Sequence, residues 1–329
     1  MVKIIFKNVG QGDSIIIEWS HQGKTKLGIL DCNLQANLNP VLDHIIKNQI
    51  TEIEFLILSH PHSDHFSGFY DLLNHCLTNQ VTLNRFLYTA QSSVDYLKAA
   101  TRGTDENNKL FDLFSLLNKM VEKEQISLHF VDDNPDLKIP LGEEFKMEFL
   151  APSSIEINNY INGVNYPFNE ESTGNPNANW LSTVCKIYNN KVSILLTSDV
   201  EAGVLSRIGK KNGGRLGKTK ICLAQIPHHG SKGNLNKIFW QMRKRLPSTP
   251  LAISVGKNSY KHPSLDVLNF FQRQPNYVVY RTDSTNLISS SEKSQKKSAL
   301  LDVFSSEILE DLSSGDKVFE VSGTEVELV

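Results

Sequence analysis

The sequence predicts a mixed α/β fold in which two β-sheets pack together and helices cover their outer faces. The chain has 329 residues, of which 40% are hydrophobic, so it is long enough to bury a substantial core. Two β-rich stretches occur, and each is followed by alternating strand and helix patterns. No repeat of about 20–50 residues is visible, which argues against a solenoid or a propeller.

Predicted elements alternate along the first half of the chain. Period-two or continuous apolar runs predict strands, apolar residues three and four apart predict helices, and residues 10–13 predict a tight turn. The predicted elements are strands at 3–9, 14–19 and 26–30, a helix at 40–48, a strand at 53–58, a helix at 66–76, a strand at 85–89, helices at 93–100 and 110–123, and strands at 127–131 and 145–151.

The second half begins after residues 152–180, which are rich in Asn, Pro and Ser and predict a long loop. A low-complexity linker at 289–298 separates the last elements, an acidic helix and a hairpin around Ser322. This pattern predicts one domain over 1–285 and a linker with a short acidic C-terminal extension over 286–329. The elements between the loop and the linker are strands at 181–188 and 192–197, a helix at 201–210, a strand at 221–226, a helix at 234–246, a strand at 251–255, a helix at 264–272 and a strand at 277–281.

The net charge of −2 conceals an uneven distribution of charge. Residues 186–300 contain 20 Lys and Arg against 5 Asp and Glu, whereas residues 1–185 contain 13 against 23 and residues 301–329 contain 1 against 8. A near-neutral sum argues against a nucleic-acid binder, but a basic block of this size indicates an anionic partner. The alternative at this point is an ordinary solvated surface.

Four widely spaced cysteines form no CxxC pair, which is typical of buried thiols in a reducing compartment. The N-terminal segment reads as a strand and not as a signal peptide, and no apolar run reaches 18 residues. The expected location is therefore the cytoplasm.

The most informative segment directly follows the predicted strand at 53–58. His60, His62, Asp64 and His65 place four potential metal ligands within six positions. Imidazole and carboxylate are ligands that Zn²⁺, Mn²⁺ and Fe²⁺ accept. The spacing allows the first two histidines to serve one ion while the aspartate and the last histidine reach a second.

Further potential ligands follow two other apolar strands. The strand at 192–197 is followed by Asp199, and the strand at 221–226 is followed by His228 and His229. A carboxylate at this sheet edge can bridge two ions. An aspartate or a histidine pair after one strand is weak evidence, but together with the histidine-rich loop they predict a shared two-metal site.

These motifs resemble those of metallo-β-lactamase-fold hydrolases. More narrowly, the chain resembles the ComEC-like branch, named after the soluble hydrolase domain of bacterial DNA-uptake competence proteins. The resemblance covers about residues 3–285 and implies an αββα four-layer sandwich with a two-metal site at one edge of the β layers. The matching segments are NVGQGDS at 8–14, Asp31, HxHxDHxxG at 60–68, LLTSD at 195–199, HHGS at 228–231 and SVGKNSYKHP at 254–263.

The chain departs from the family pattern at three places. Ser198 stands where the family usually has Gly before the aspartate, and Lys261 stands where it has Gly before the later histidine. The superfamily's additional histidine of the first metal site has no counterpart, because no His occurs between residues 129 and 228. Asn179 and Ser182 resemble the branch's own motif in that region. Fewer protein ligands are therefore expected at the first site.

The resemblance implies hydrolysis by a metal-bound hydroxide generated on two divalent ions, Zn²⁺ or Mn²⁺. His60 and His62 would bind metal 1, and Asp64, His65 and His228 would bind metal 2. Asp64 is also expected to be catalytic. The resemblance also implies a bridging ligand at Asp199 and contacts to the phosphate or leaving group at His229 and His262, the latter equally compatible with a structural role. The groups implied to orient the ligands without binding an ion are Asp13, Asp31, Asn179 and Ser182.

Cations surround these motifs in the sequence and favour a phosphodiester over a lactam or an uncharged ester. The prediction is a nuclease or nucleotide phosphodiesterase that binds nucleic acid or a nucleotide on a basic face. The acidic C-terminal segment is expected to bind a protein partner or to cover that face. The predicted substrate-binding residues are Ser231, Lys232, Lys257 and Lys261.

Two other functions stay open at this point. One is a hydrolase of another phosphoester such as phosphorylcholine, and the other is a non-catalytic module that binds nucleic acid or a partner. Residues 213–219 approach a phosphate-binding P-loop pattern. However, Asn212 stands where the first Gly is required, and the segment follows a helix, so it predicts a basic surface loop.

Overall fold

A computed structural model of the chain describes residues 1–89, 101, 103–164, 177–211, 215–283 and 315–329. Within these ranges the protein contains seventeen strands and eight α-helices. Among the same residues, no helix combines the length and the apolar character needed to cross a membrane.

The strands fall into two large sheets and one short pair. Their bounds are β1 (Val2–Phe6), β2 (Ser14–His21), β3 (Lys24–Cys32), β4 (Glu52–Ile53), β5 (Phe55–Leu58), β6 (Thr82–Leu83), β7 (Arg85–Tyr88), β8 (Ser127–Phe130), β9 (Lys138–Leu141), β10 (Phe145–Ala151), β11 (Val184–Tyr188), β12 (Val192–Leu196), β13 (Lys220–Gln225), β14 (Thr249–Ile253), β15 (Tyr277–Arg281), β16 (Lys317–Ser322) and β17 (Glu325–Leu328).

The helices mostly connect parallel strands. Their bounds are α1 (Pro40–Lys47), α2 (Ser63–Phe66), α3 (Phe69–Thr78), α4 (Thr104–Glu122), α5 (Ser154–Gly163), α6 (Ala202–Lys211), α7 (Lys237–Met242) and α8 (Leu265–Gln272).

Each sheet is antiparallel on one side and parallel on the other. The first sheet has the order β17-β16-β1-β2-β3-β5-β7-β8, and its strands are parallel from β3 to β8. The second has the order β15-β14-β13-β12-β11-β10-β9 and is parallel from β15 to β12. Parallel strands end at the same edge of a sheet, so the loops that follow them lie together.

Three buried clusters show that the molecule has four layers. Phe55 and Phe149 lie in the cluster between the sheets, Phe86 and Phe114 lie between the first sheet and its helices, and Trp240 lies between the second sheet and its helices. The predicted mixed α/β fold with an αββα arrangement is confirmed by these layers. Glycine at position 28 is required because a Cβ atom there would overlap the Phe55 ring on the adjacent strand.

The region predicted as a long loop contains helix α5, so that part of the prediction is wrong. Ser153 accepts a hydrogen bond from the backbone N–H of Ile155, and Glu156 accepts one from the N–H of Ser153, which forms a capping box. The Ser-x-x-Glu spacing signals this helix start, but the surrounding Asn and Pro residues masked it. The predicted helix at 93–100 lies outside the described residues.

Helix α7 is shorter than the predicted helix at 234–246. Asn236 caps its start, and the chain becomes extended at Arg243. Arg243 lies against the Phe239 ring at 4.9 Å, and Arg245 lies over the Tyr277 ring at 4.4 Å. These contacts hold the basic run against the helix end.

The end of the chain is part of the first sheet. Strand β16 pairs antiparallel with β1, from Val2 opposite Val321 to Phe6 opposite Lys317, and β17 completes the predicted hairpin. Residues 317–328 therefore form strands of the first sheet. The intervening acidic segment at 301–314 and the linker at 289–298 lie outside the described residues.

Candidate metal centre

The predicted ligands meet where strands of the two sheets end. Strand β5 ends just before His60, β12 ends just before Asp199, and β13 ends just before His228. The two sheets touch at this edge, because the backbone N–H of Thr183 donates to the carbonyl of Ser59 at 3.2 Å. Residues far apart in the sequence are thereby brought to one point.

The histidine-rich loop forms the floor of the site. His62 precedes the short helix α2, which carries Asp64 and His65. Nε2 of His60 lies 3.0 Å from Nδ1 of His62. Neither residue lies within a regular helix or strand. Two imidazole nitrogens therefore point at one location.

Asp199 lies at the centre of the site and is buried. Its Oδ2 atom is 3.7 Å from Nε2 of His60, 3.6 Å from Nε2 of His65 and 3.5 Å from Nε2 of His228. Its Oδ1 atom is 3.6 Å from Nε2 of His229. One carboxylate is thus shared by four histidines.

These distances fit divalent ions. Zinc binds histidine nitrogen at about 2.0–2.1 Å, so two ligand atoms on one tetrahedral ion lie roughly 3.4 Å apart. Nε2 of His229 is 3.4 Å from Oδ2 of Asp64, close to that value. Buried Nε2 atoms of His65 and His229 and the buried Oδ1 of Asp199 have no hydrogen-bond partner among the described residues. Unsatisfied atoms that converge in this way suit a cation.

Four overlapping groups of potential ligands occur among the described residues, and two of them include Asp13. The other two carry the site as we interpret it. His60, His65 and Asp199 form one group, and Asp64, His65 and His229 form the other, with ligand atoms within 4.8 Å of one another in each. His229 was expected at the phosphate or leaving group, but its position is that of a ligand beside Asp64.

Hydrogen bonds fix which nitrogen of each histidine is available. Nδ1 of His65 donates to Oδ2 of Asp31 at 2.7 Å, and Nδ1 of His229 donates to the carbonyl of Ser254 at 2.8 Å. Because these bonds hold a proton on each Nδ1, each Nε2 faces Asp199 and offers its lone pair to a cation when the ring is neutral.

The same reasoning applies to His60. Ser59 Oγ donates its only proton to Asp31 at 2.6 Å, so it accepts from Nδ1 of His60 at 3.0 Å. The backbone N–H of Ser59 also donates to Asp31 at 2.8 Å. Asp31 is therefore hydrogen-bonded directly to His65 and through Ser59 to His60.

His228 is oriented by Asn234, which the sequence analysis did not single out. The Asn234 amide nitrogen donates to the carbonyls of Asp199 and Val200, at 3.2 and 3.0 Å, so its oxygen must accept from Nδ1 of His228 at 3.0 Å. The Nε2 lone pair of His228 is then directed at Asp199. A buried asparagine three residues after the HHGS motif is a signal that could have found it.

Asp13 lies behind the ligands. Its Oδ2 accepts from the amide of Gln225 at 2.8 Å, and its backbone N–H donates to the carbonyl of Asp64 at 3.0 Å. The Gln225 oxygen accepts from the backbone N–H groups of Thr197 and Ser198, both at 2.9 Å. This network ties the N-terminal turn to the strand ends that carry the ligands.

Asn179 and Ser182 lie beside His228. The Asn179 amide is 3.3 Å from Nδ1 of His228 and 3.4 Å from Oε1 of Glu201. Since Nδ1 donates to Asn234, the amide of Asn179 packs against the ring and does not hydrogen-bond to it. The hydroxyl of Ser182 is buried and has no hydrogen-bond partner among the described residues.

The charges of the site are strongly coupled. Burial opposes protonation of His229, but Asp199, Asp64 and Asp13 outweigh burial and raise the pKa of this imidazole to about 9. Burial likewise opposes protonation of His65, yet nearby carboxylates raise its pKa well above the usual range. Protons on these two rings balance the carboxylates, and a divalent cation that binds there displaces them.

His262 lies at the mouth of the site. Its ring centroid is 5.5 Å from that of His228, and its Nδ1 is buried without a hydrogen-bond partner among the described residues. Burial, followed by the nearby His228 and His229, lowers the pKa of His262. It is therefore a neutral ring close to the ligands.

Three cations of the basic block at 186–300 are paired within the fold or lie away from the ligands. Arg215 pairs with the buried Glu148 at 3.0 Å. Lys220 begins β13 and lies about 17 Å from the strand's far end. Helix α6 starts near Asp199 and ends at Lys211, about 15 Å away. These cations are close to the ligand motifs in the sequence, but they are not close to the ligands in space.

Three of the predicted substrate-binding residues are lysines on loops that adjoin the ligands. Lys257 and Lys261 are exposed on the loop that carries His262. Lys232 pairs with Asp266 at 2.6 Å. Ser231 follows the ligand pair, and its backbone N–H donates to the carbonyl of His228 at 2.8 Å.

The sequence matches no protein-family model and no curated protein. Solved structures resemble the chain at low identity. The metallo-β-lactamase-fold protein YhfI from Bacillus subtilis is 12% identical, with a TM-score of 0.45 over 87% of this chain and 99% of its own. Zn²⁺-bound PqqB from Methylobacterium extorquens is 10% identical, with a TM-score of 0.48 over 86% and 98%. Tm1679, a metal-dependent hydrolase of the β-lactamase superfamily, is 9% identical, with a TM-score of 0.46 over 85% and 96%.

Each TM-score lies below 0.5, so the αββα fold is assigned from the chain's own layers and sheet order.

Proposed function

We propose that the chain is a metal-dependent hydrolase of phosphodiesters in nucleic acid or nucleotides, and that it belongs to the ComEC-like branch. The carboxylate of Asp199 carries this proposal. Its two oxygens lie 3.5–3.7 Å from Nε2 atoms of four histidines. A carboxylate shared between two sets of imidazoles is suited to bridge two cations.

The ligand geometry supports one ion on each side of this carboxylate. In our assignment His228 takes the place of the missing upstream histidine at the first ion, and His229 serves the second. The first set is His60, His62, His228 and Asp199 Oδ2, and the second set is Asp64, His229 and Asp199 Oδ1. Nε2 of His65 lies 3.6 Å from Asp199 Oδ2 and 3.9 Å from Asp64 Oδ1, so it can serve either ion.

Divalent ions held there supply a nucleophile at neutral pH and stabilise the negative charge that develops on the phosphoryl oxygens. The protein's residues prepare the site for them. Asp31 and Asn234 hold three ligand rings in one tautomer, so no reorientation is needed when an ion binds. His262, a neutral ring beside His228, is positioned to donate a hydrogen bond to a phosphoryl or leaving oxygen.

The substrate class is supported by charge. Lys257 and Lys261 are exposed at the mouth of the site and would attract an anionic substrate. An uncharged ester or lactam would gain nothing from them. We therefore propose a limited contact between these two lysines and the phosphate backbone.

A cleavage panel tests the proposal. Chelator-treated protein is reloaded with Mn²⁺ or Zn²⁺ and assayed on single-stranded DNA, double-stranded DNA, RNA and cyclic nucleotides. We expect metal-dependent cleavage that Asp64→Ala reduces by more than about a hundredfold. The matched control is Asp105→Ala, whose carboxylate is exposed on α4 and pairs with Lys109. Undiminished cleavage by Asp64→Ala would refute the site assignment.

The alternatives predict different results in the same experiments. A phosphorylcholine-esterase-like enzyme would cleave p-nitrophenyl phosphorylcholine and leave nucleic acids intact. A non-catalytic binding module would bind no metal, or would bind nucleic acid without cleaving it. Metal analysis of the purified protein therefore accompanies the panel, and about two bound ions per chain are expected.

A further inference from the structure

An exposed tyrosine lies next to the proposed catalytic centre. Tyr260 is 59% exposed, although large aromatic side chains are usually buried. Its ring is nearly parallel to that of His262, with 18° between the planes and 6.0 Å between the centroids. Because the His262 ring also lies 5.5 Å from that of the ligand His228, aromatic rings lead from the metal centre to the surface.

The loop that carries Tyr260 is held rigidly at both ends. Gly256 packs so closely on Gly10 that a Cβ atom would overlap its backbone. At the other end, Gly230 packs against Pro263 in the same way, and the N–H of Ser264 donates to the carbonyl of Gly230 at 3.0 Å. The loop is thus anchored to the turns that carry the site.

Asn258 braces the loop internally. Its amide nitrogen donates to the carbonyls of Gly256 and His262, both at 2.8 Å, and its oxygen accepts from the N–H of His262 at 3.0 Å. These bonds close the loop on itself and leave Tyr260 at its tip. A rigid aromatic surface costs little entropy when a ligand binds to it.

We propose that Tyr260 is a stacking platform for a base of a single-stranded nucleic acid whose neighbouring phosphate lies at the metal centre. Its exposed ring offers the π-face that any base can stack on. Lys257 and Lys261 flank it on the same loop and are exposed, so they can contact the phosphates on either side. The inference rests on the proposed phosphodiesterase function and adds a residue that would recognise the base.

Binding of two oligomers of equal length and charge tests this inference. One is a fluorescently labelled oligothymidylate, and the other has the same backbone without bases. Both are titrated with wild-type, Tyr260→Ala and Tyr260→Phe protein in EDTA, so that no cleavage occurs. We expect the wild type to bind the base-containing oligomer about tenfold more tightly, the size of one stacking contact.

The Tyr260→Ala variant should bind the two oligomers about equally, and Tyr260→Phe should retain the wild-type preference because it keeps the ring. Equal binding of both oligomers by the wild type, an unchanged preference in Tyr260→Ala, or no measurable binding of either would overturn the inference. Cleavage of the base-free oligomer by Mn²⁺-loaded wild type reports the proposed hydrolysis separately, so failure of the platform and failure of the enzyme are distinguished.

Discussion

Nε2 of His228 lies 3.5 Å from Oδ2 of Asp199, whereas Nε2 of the next residue, His229, lies 3.6 Å from Oδ1 of the same carboxylate. His228 and His229 have φ angles of +50° and +52°, in the left-handed region that non-glycine residues rarely adopt. Two such residues in succession turn adjacent side chains to opposite sides of one carboxylate. Strain of this kind persists at functional sites, where the surrounding structure imposes it.

This geometry predicts that the two histidines serve different ions. His228→Ala and His229→Ala should each lose about one of two bound ions per chain, because each variant removes a ligand from one side only. Asp199→Ala should lose both. Metal content by mass spectrometry after dialysis measures the stoichiometry, with His75→Ala on α3 as the control. Loss of both ions from His228→Ala would show that the two sites are not separate.

Asp31 is predicted to set metal affinity without touching an ion. It accepts hydrogen bonds from Ser59 and His65 and has a φ of +61°, which asparagine tolerates. Asp31→Asn keeps an acceptor oxygen but loses the charge that makes the ligand ring more basic. We expect Zn²⁺ affinity to fall about 10–100-fold in isothermal titration calorimetry.

The control for that measurement is Asp43→Asn, on the surface of α1, where the carboxylate pairs with Lys47. Metal-free Asp43→Asn should unfold like the wild type, whereas metal-free Asp31→Asn should unfold at a lower temperature, because its amide NH2 group faces a buried donor. An Asp31→Asn protein with unchanged affinity would show that the hydrogen bond to His65 does not tune the site.

The four cysteines are predicted to be unreactive in the folded protein. All are free and buried, and burial raises the pKa of Cys76 and of Cys222 to about 12. Since the thiolate is the reactive form, a thiol reagent at pH 8 should label the native protein only slowly. Four thiols should react once the chain is unfolded in guanidinium. Rapid labelling of a native thiol would contradict this burial.

The C-terminal strand is predicted to contribute to stability. Phe319 on β16 is buried between the sheets and packs against Phe6 at 6.1 Å and Tyr280 at 5.4 Å between centroids. Phe319→Ala should lower the free energy of unfolding by about 3–5 kcal/mol. The control Leu328→Ala, at a side chain 46% exposed on β17, should change it by less than about 1 kcal/mol. Chemical denaturation of both variants measures the difference, and equal effects would show that β16 is not part of the core.

The local sequence was sufficient for the order of most strands and helices and for the ligands within the histidine-rich loop. Apolar strands such as β12 can be predicted directly from the sequence, because their hydrophobic pattern depends only on neighbouring residues. Helix α5 was missed, since its capping box lies among residues typical of loops. The C-terminal hairpin was predicted, but its pairing with β1 was not, because that contact joins residues more than 300 positions apart.

The sequence by itself determined that histidines and carboxylates follow three strands, which is enough to predict a metal centre. Only the tertiary structure decided how His228 and His229 divide around Asp199, because consecutive side chains are separated by backbone angles that residue types do not specify. It also decided where individual cations lie, since the lengths of β13 and α6 carry the backbone at Lys220 and Lys211 away from the ligands. Residue types define which chemistry is possible, and the packing of distant chain segments against one another decides which groups share a site.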